Sequence, residues 1–307
     1  MAVIYHSEPK LNSPALIASW PGIGDIGVIA VGTLRRLVGA EEFAEIEPYE
    51  FFYPKRVYIR NGELKDMEFP ASKFYYSNFN GRSIIIFIGD EQPAEGGRRY
   101  ADGPKAYQMA NMVLDVAVKF GCSMIYTSGA AVAPLHHTLL PQVWAVPNSE
   151  RLLEQARGYK NTVLMSNMEG RSGGGAITGL NGLLLGVARK RGLDATCLMG
   201  EVPAYLQGFP VPYPKASRAV LQVLGKALDI DIDTAVLETL IEHTDRQIET
   251  IYDSLPAQIK EQLDKLKHVT RPEPGAPVPS SGPITEEDKK RIMEDIDKMF
   301  KKEPKGD

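Results

Sequence analysis

Ala15-Leu16-Ile17-Ala18-Ser19-Trp20-Pro21-Gly22-Ile23-Gly24-Asp25-Ile26-Gly27 opens as a short apolar run and passes into a turn punctuated by glycine. Beyond it Ile29, Leu34, Leu37 and Val38 fall close to helical spacing, so the stretch reads as strand, turn, helix. The same order recurs downstream. Ser83 to Ile88 is a continuous apolar run closed by Gly89-Asp90, as in a strand covered on both faces, and a helix is expected from about Gly103 to Phe120 with its stop at Gly121. Met124 to Thr127, Gln142 to Val146, Thr162 to Met165 and Ala195 to Met199 read as further buried strands. Helices are expected over Ser149 to Arg157, Ala176 to Arg191 and Ala216 to Leu228. Buried runs alternating with helices imply an α/β fold with a three-layer core around a mixed, largely parallel sheet.

Other segments depart from that pattern. Phe43 to Tyr76 is rich in β-branched and aromatic residues and is broken by Pro48, Pro54, Asn61-Gly62 and Pro70, which predicts an antiparallel meander with a two-residue hairpin turn at Asn61-Gly62. From Thr234 onward Leu237, Ile241, Thr244, Ile248, Ile251 and Leu255 step by alternating four and three residues, a seam for packing on another helix. A second helix carrying Ile259, Leu263 and Leu266 is expected to restart near Pro256. Thr270 to Pro283 holds five prolines and little to bury, and reads as a linker; Thr285 to Lys302 begins as a capped amphipathic helix with Ile292, Ile296, Met299 and Phe300 on one face. The expected organisation is a core over residues 1–230, a helical extension over 231–269, a proline-rich linker over 270–284 and a tail helix over 285–307.

Composition narrows the function. The chain has 307 residues, 43% hydrophobic and 24% charged, which excludes a wholly disordered protein. Lys and Arg number 35 against 39 Asp and Glu, for a net charge of -4, which argues against a protein built to hold nucleic-acid phosphates. Cys122 and Cys197 lie far apart, each in an apolar run, and read as buried reduced thiols. There is no signal-peptide pattern and no run of about 18 apolar residues that would span a membrane, so a cytoplasmic location is expected.

The glycine loops are the first candidate sites. Gly22, Gly24 and Gly27 satisfy G-x-G-x-x-G between strand and helix, with Glu47 further on, as a dinucleotide fingerprint requires. Asp25 would place a carboxylate where the phosphate belongs, so close strand-to-helix packing through glycine is the competing reading. Glu169 to Gly175, with Arg171 and Gly174, could form an anion nest or only a sharp turn. Asp90 and Glu91 could serve acid–base chemistry or cap a loop; Ser128 lacks the surround of a nucleophile elbow and reads as a turn residue. His136-His137 lacks metal-ligand spacing and reads as a pair of surface or loop histidines. Glu201, expected just after a strand, is the best candidate acid, with Tyr205 beside it. The loops at Pro21–Gly27, Gly89–Pro93, Thr127–Ala130, Glu169–Gly175 and Gly200–Tyr205 each follow an expected buried strand. If those strands are parallel, the loops share one rim, where open α/β sheets bind ligands.

Three segments together resemble the PAC2 family, the proteasome-assembly-chaperone-like proteins. They are Trp20-Pro21-Gly22-Ile23-Gly24-Asp25-Ile26-Gly27, Ile177-Thr178-Gly179-Leu180-Asn181-Gly182-Leu183-Leu184 and Leu198-Met199-Gly200-Glu201-Val202-Pro203-Ala204-Tyr205, the last followed by Pro212-Tyr213-Pro214-Lys215-Ala216-Ser217. The resemblance implies a fold similar to nucleoside phosphorylases and hydrolases without an established catalytic centre or cofactor. It also implies a homo-oligomer that binds proteasome α-subunits or another multisubunit protein. An ATP-grasp or carboxylate–amine ligase label, carried by some relatives, finds no ATP-binding lysine or metal-carboxylate set here. Some archaeal relatives are expected to dock through a C-terminal hydrophobic-tyrosine-any tripeptide, whereas this sequence closes on Lys305-Gly306-Asp307. The alternative is an enzyme or ligand sensor for a nucleoside-like or small anionic metabolite, with Asp90, Glu91, Arg171 and Glu201 around the rim.

Overall fold

A computed structural model describes residues 2–94, 101–165, 176–269 and residue 271. In chain order the elements are β1 (Val3–Tyr5), β2 (Ala15–Ser19), α1 (Ile26–Leu37), β3 (Glu41–Ile46), β4 (Arg56–Arg60), β5 (Glu63–Glu68), β6 (Ser72–Phe79), β7 (Arg82–Gly89), α2 (Gly103–Lys119), β8 (Met124–Ala133), β9 (Val143–Pro147), α3 (Glu150–Arg157), β10 (Thr162–Leu164), α4 (Gly179–Lys190), β11 (Ala195–Pro203), α5 (Pro214–Leu228), α6 (Glu238–Ser254) and α7 (Ala257–Asp264). Nine strands make one sheet in the order β1-β3-β6-β7-β2-β8-β11-β9-β10, and β4 and β5 form a separate two-stranded ribbon.

The sheet is mixed. Its middle, β7-β2-β8-β11, is parallel throughout, while β1, β3 and β6 add an antiparallel flank. Because both faces of the middle strands are covered, their runs are apolar without alternation, as at Ile84 to Phe87. One face packs Met109, Val113 and Leu114 of α2 with Leu180 and Leu184 of α4; the other packs Ile26, Val31 and Leu34 of α1 with Val220 and Leu224 of α5. This is the expected three-layer core. Leu237, Ile241 and Ile248 join the second cluster, so the seam of α6 lies on the core beside α5, whereas α7 buries no residue fully.

Several expectations are corrected. Thr127 to Ala130 is not a turn: β8 runs on to Ala133, with Ser128 buried in mid-strand. A buried strand tolerates Ser128 and Gly129 because α1 lies on the Ser128 carbonyl, where a Cβ on Gly27 would come within 2.4 Å, and α4 brings Asn181 Nδ2 to 3.3 Å from where a Gly129 Cβ would stand. Likewise β11 continues to Pro203, so Glu201 stands inside a strand and not after one. Of the meander, only β3 and β6 enter the large sheet, and β4–β5 stands apart. Its turn is as expected: Asn61 and Gly62 have φ of 53° and 80°, the pair of left-handed residues a type I′ hairpin needs. Asn80-Gly81 makes a second such turn, from β6 to β7, at φ of 50° and 76°. Strand β9 is antiparallel to β11, and β10 runs with β9, so β10 points away from the end towards which β2, β7, β8 and β11 run. The linker beyond Arg271 and the tail helix fall outside the described residues.

Candidate functional site

Parallel β2, β7, β8 and β11 open their C-terminal ends on one edge, which gathers residues 20–25, 90–94, 134–142 and 204–213. Four of the five expected loops therefore belong to one rim, two of them displaced along longer strands. Glu169, Arg171 and Gly174 lie outside the described residues, and the premise that put them on this rim, a strand parallel to the others, does not hold for β10.

Gly22 to Gly27 is built for packing. A Cβ on Gly27 would stand 2.4 Å from both the Ser128 carbonyl oxygen and Ser19 Oγ, so the first turn of α1 lies directly on β2 and β8. Gly24 is left-handed, at φ 62°, and its carbonyl accepts the Tyr213 N–H at 2.7 Å, which closes the start of α5 over the turn. Asp25 is exposed beside it. The crevice between the ends of β2 and β8, where strand connections diverge, is lined by Gly22, Gln92, Gly129, Asn181 and Cys197 and holds about 60 Å³. Small-molecule pockets run to roughly 300–1,000 Å³. Gln92 fills its mouth: Nε2 donates to the Pro21 carbonyl at 2.6 Å, while Oε1 accepts the Leu180 N–H at 3.0 Å. The amide thus takes the helix-end donor of α4 that an anion would otherwise claim. A larger cleft of about 420 Å³ lies at the opposite end, among Asn12, Ser83, Ser123 and Gln155. Its arginines, Arg82 and Arg151, are paired with Asp229 and Asp194.

Glu201 is buried, and every contact to its carboxylate is internal. The Gln142 N–H donates to one oxygen at 2.7 Å, Trp144 Nε1–H to the other at 3.0 Å, and the Arg271 guanidinium closes on it while also donating to the Leu140 carbonyl at 2.6 Å. The chain thereby returns after α7 to fasten itself to the rim. Asp90 accepts from the Ala71 N–H at 3.1 Å and from Lys55 Nζ at 3.3 Å, and Glu91 lies 3.7 Å from the same lysine. Both acids join the ends of β6 and β7 to the foot of the ribbon.

The histidine pair is not on the surface. His136 and His137 are 1% and 3% exposed, with their rings 4.2 Å apart and Tyr205 and Tyr252 packed against them. The Tyr205 hydroxyl accepts the His137 backbone N–H at 2.9 Å and so has its own proton to give to His137 Nδ1. That assigns the remaining proton to Nε2, which donates to Glu249 of α6 at 3.0 Å. His136 Nδ1 accepts the Thr138 N–H, and Nε2 faces Asp264 of α7 at 3.6 Å. Burial, reinforced by His137, lowers the His136 pKa to about 4; burial raises that of Tyr205. The relay Tyr205–His137–Glu249 has the form of an acid–base chain, and it joins the β8 and β11 loops to α6. For metal binding, one group among the described residues brings ligand atoms within 4.8 Å of one another: His6, Glu42 and Glu45, at the sheet edge. Lys73 Nζ already holds Glu42 there at 2.9 Å.

Sequence reasoning missed Gln92, His137 with Glu249, and Arg271. Gly179, the first residue of α4, hinted at the first, since a Cβ there would stand 2.8 Å from Gln92 Oε1; only the fold brings the others together.

The model of the PAC2 family matches residues 16–252. The chain belongs to the PAC2 family. Among solved PAC2-like structures, Pyrococcus furiosus PbaB, described as an archaeal proteasome activator, is similar at a TM-score of 0.68 and 27% identity, over 81% of this chain and 98% of that one. The Mycobacterium tuberculosis proteasome-assembly chaperone homologue Rv2125 shares the fold at a TM-score of 0.62 and 20% identity, over 83% and 100%. Among curated sequences, the uncharacterized MJ1210 protein of Methanocaldococcus jannaschii is 28% identical over 245 residues, 80% of this chain and 84% of that protein. The nine-stranded α/β sheet is thus the PAC2 fold, and no helix among the described residues is long and apolar enough to cross a membrane.

Proposed function

We propose that this PAC2 protein is a proteasome-assembly-chaperone-like scaffold, a cytoplasmic homo-oligomer that binds proteasome α-subunits or a similarly multisubunit protein. The observation that carries the reading is the likeness to the proteasome activator PbaB across nearly the whole of that chain. The rim supports it. Gln92, Glu201, Tyr205 and His137 spend their polar atoms on contacts within the chain, and the crevice between the ends of β2 and β8 holds only about 60 Å³. The test is co-elution with purified proteasome α-subunits from the same source in size-exclusion chromatography. A shared peak containing both proteins is expected. Separate peaks at tens of micromolar concentration, together with a thermal shift of several degrees from a nucleotide or phosphate, would turn the reading towards a ligand sensor.

A further inference from the structure

The β4–β5 ribbon exposes an apolar face that nothing in the described chain covers. Val57 pairs with Met67 and Ile59 with Leu64, while Arg56, Tyr58 and Arg60 stand opposite Glu68, Asp66 and Glu63. Alternation therefore sends four apolar side chains to one face and the charged residues, with Tyr58, to the other. The register shift between Tyr58 and Ile59 inserts Lys65 as an extra residue, and that bulge keeps Leu64 on the same face as Met67. The apolar side chains are 51% (Val57), 68% (Ile59), 63% (Leu64) and 45% (Met67) exposed. At the foot of the ribbon Tyr49 meets Phe69 edge-on at 5.0 Å, and Tyr53 is almost fully open. The charged face is occupied within the ribbon, with Tyr58 on Glu68 and Lys65 on Glu63.

We propose that this apolar face is a self-association surface, covered by the same face of a second copy across a two-fold axis; the proposal rests on the self-association in the reading above. A lone two-stranded ribbon is marginal in water, and two of them stacked about 10 Å apart make a small sandwich. Size and charge both select a second copy. The four aliphatic side chains of the face offer roughly 100 Å² each, and a contact that also takes in Tyr49 and Tyr53 at the foot of the ribbon, at roughly 150–200 Å² each, reaches about 750 Å² per copy, close to the half-interface of a standard complex. From Lys55 to Glu68 there are four basic and three acidic residues, so no one-signed partner is selected and two copies do not repel. An isologous contact of this kind matches the apolar faces and leaves the charged faces in water.

Sedimentation velocity of the full chain carrying Ile59→Lys and Leu64→Lys tests the surface. The wild type is expected at a multiple of 33.8 kDa and the variant at half that mass or less, with unchanged far-UV circular dichroism and denaturation midpoint. Tyr58→Ser, on the other face, keeps the wild-type mass. A wild-type oligomer that the double variant leaves intact, or that Tyr58→Ser dissociates equally, overturns this surface and leaves self-association standing. Loss of α-subunit co-elution at unchanged mass overturns it too, by giving the ribbon to the partner. A wild type running at 33.8 kDa overturns the self-association itself.

Discussion

Gly22→Ala and Gly27→Ala separate a packing motif from a nucleotide fingerprint. At Gly27 the added methyl would sit 2.4 Å from the Ser128 carbonyl oxygen and from Ser19 Oγ, and 2.8 Å from the Ser128 carbonyl carbon. Ser19 Oγ could rotate away, at the cost of its hydrogen bond to the Ser128 carbonyl, but the backbone of β8 cannot yield. Relief requires α1 to rise by roughly 1 Å, which loosens Ile26, Ala30, Val31 and Leu34; overpacking of this kind costs about 1–3 kcal/mol. In thermal unfolding, at an unfolding entropy of roughly 2.1 cal/mol/K per residue, that is a fall of roughly 2–5 °C for a chain of this size. At Gly22 a Cβ meets nothing within 4 Å and the backbone is extended, so Gly22→Ala should unfold with the wild type. Urea denaturation and calorimetry of the two variants report the difference. Equal midpoints, or Gly22→Ala as the less stable, would refute the packing argument.

Arg271→Ala strips the buried Glu201 of its cation and should cost about 1–3 kcal/mol in urea denaturation, reduced from the fully buried case because Arg271 is partly exposed. Combining it with Glu201→Gln should recover part of that loss, and simple additivity would count against the pairing. His136, whose pKa is lowered to about 4, stays neutral in the fold while the unfolded chain takes up a proton near 6.5. Its contribution is complete above about pH 6.5 and disappears as the pH falls to about 4, a slope worth roughly 3 kcal/mol. His136→Gln should flatten the pH dependence of the urea midpoint across that window, and an unchanged slope would assign it to other groups. Burial pushes the thiols of Cys122 and Cys197 up to about 12 and about 11, so dithionitrobenzoate at pH 8 should label the folded protein slowly and the urea-unfolded chain at once.

The fold was legible where local chemistry and tertiary need agree. Ala15 to Ser19 is apolar because both faces are covered, and Asn61-Gly62 turns because both residues accept positive φ. Ser128, Gly129 and Glu201 misled because a polar residue or a glycine ordinarily marks the end of a buried strand. Here each is tolerated for a reason distant in sequence: the first turn of α1 lies on Ser128, α4 lies over Gly129, and Arg271 pairs with Glu201 across 70 residues. The direction of β9 and β10 is invisible in principle, since an apolar run looks alike in either orientation. The burial of His136 and His137 comes from α6 and α7, more than a hundred residues away, through contacts no spacing rule encodes.

Native mass spectrometry of the protein purified from its own cells puts the scaffold reading to the most direct test. The expected spectrum shows multiples of 33.8 kDa, joined by proteasome α-subunits in defined stoichiometry. A free 33.8 kDa chain carrying one small metabolite at full occupancy would contradict it.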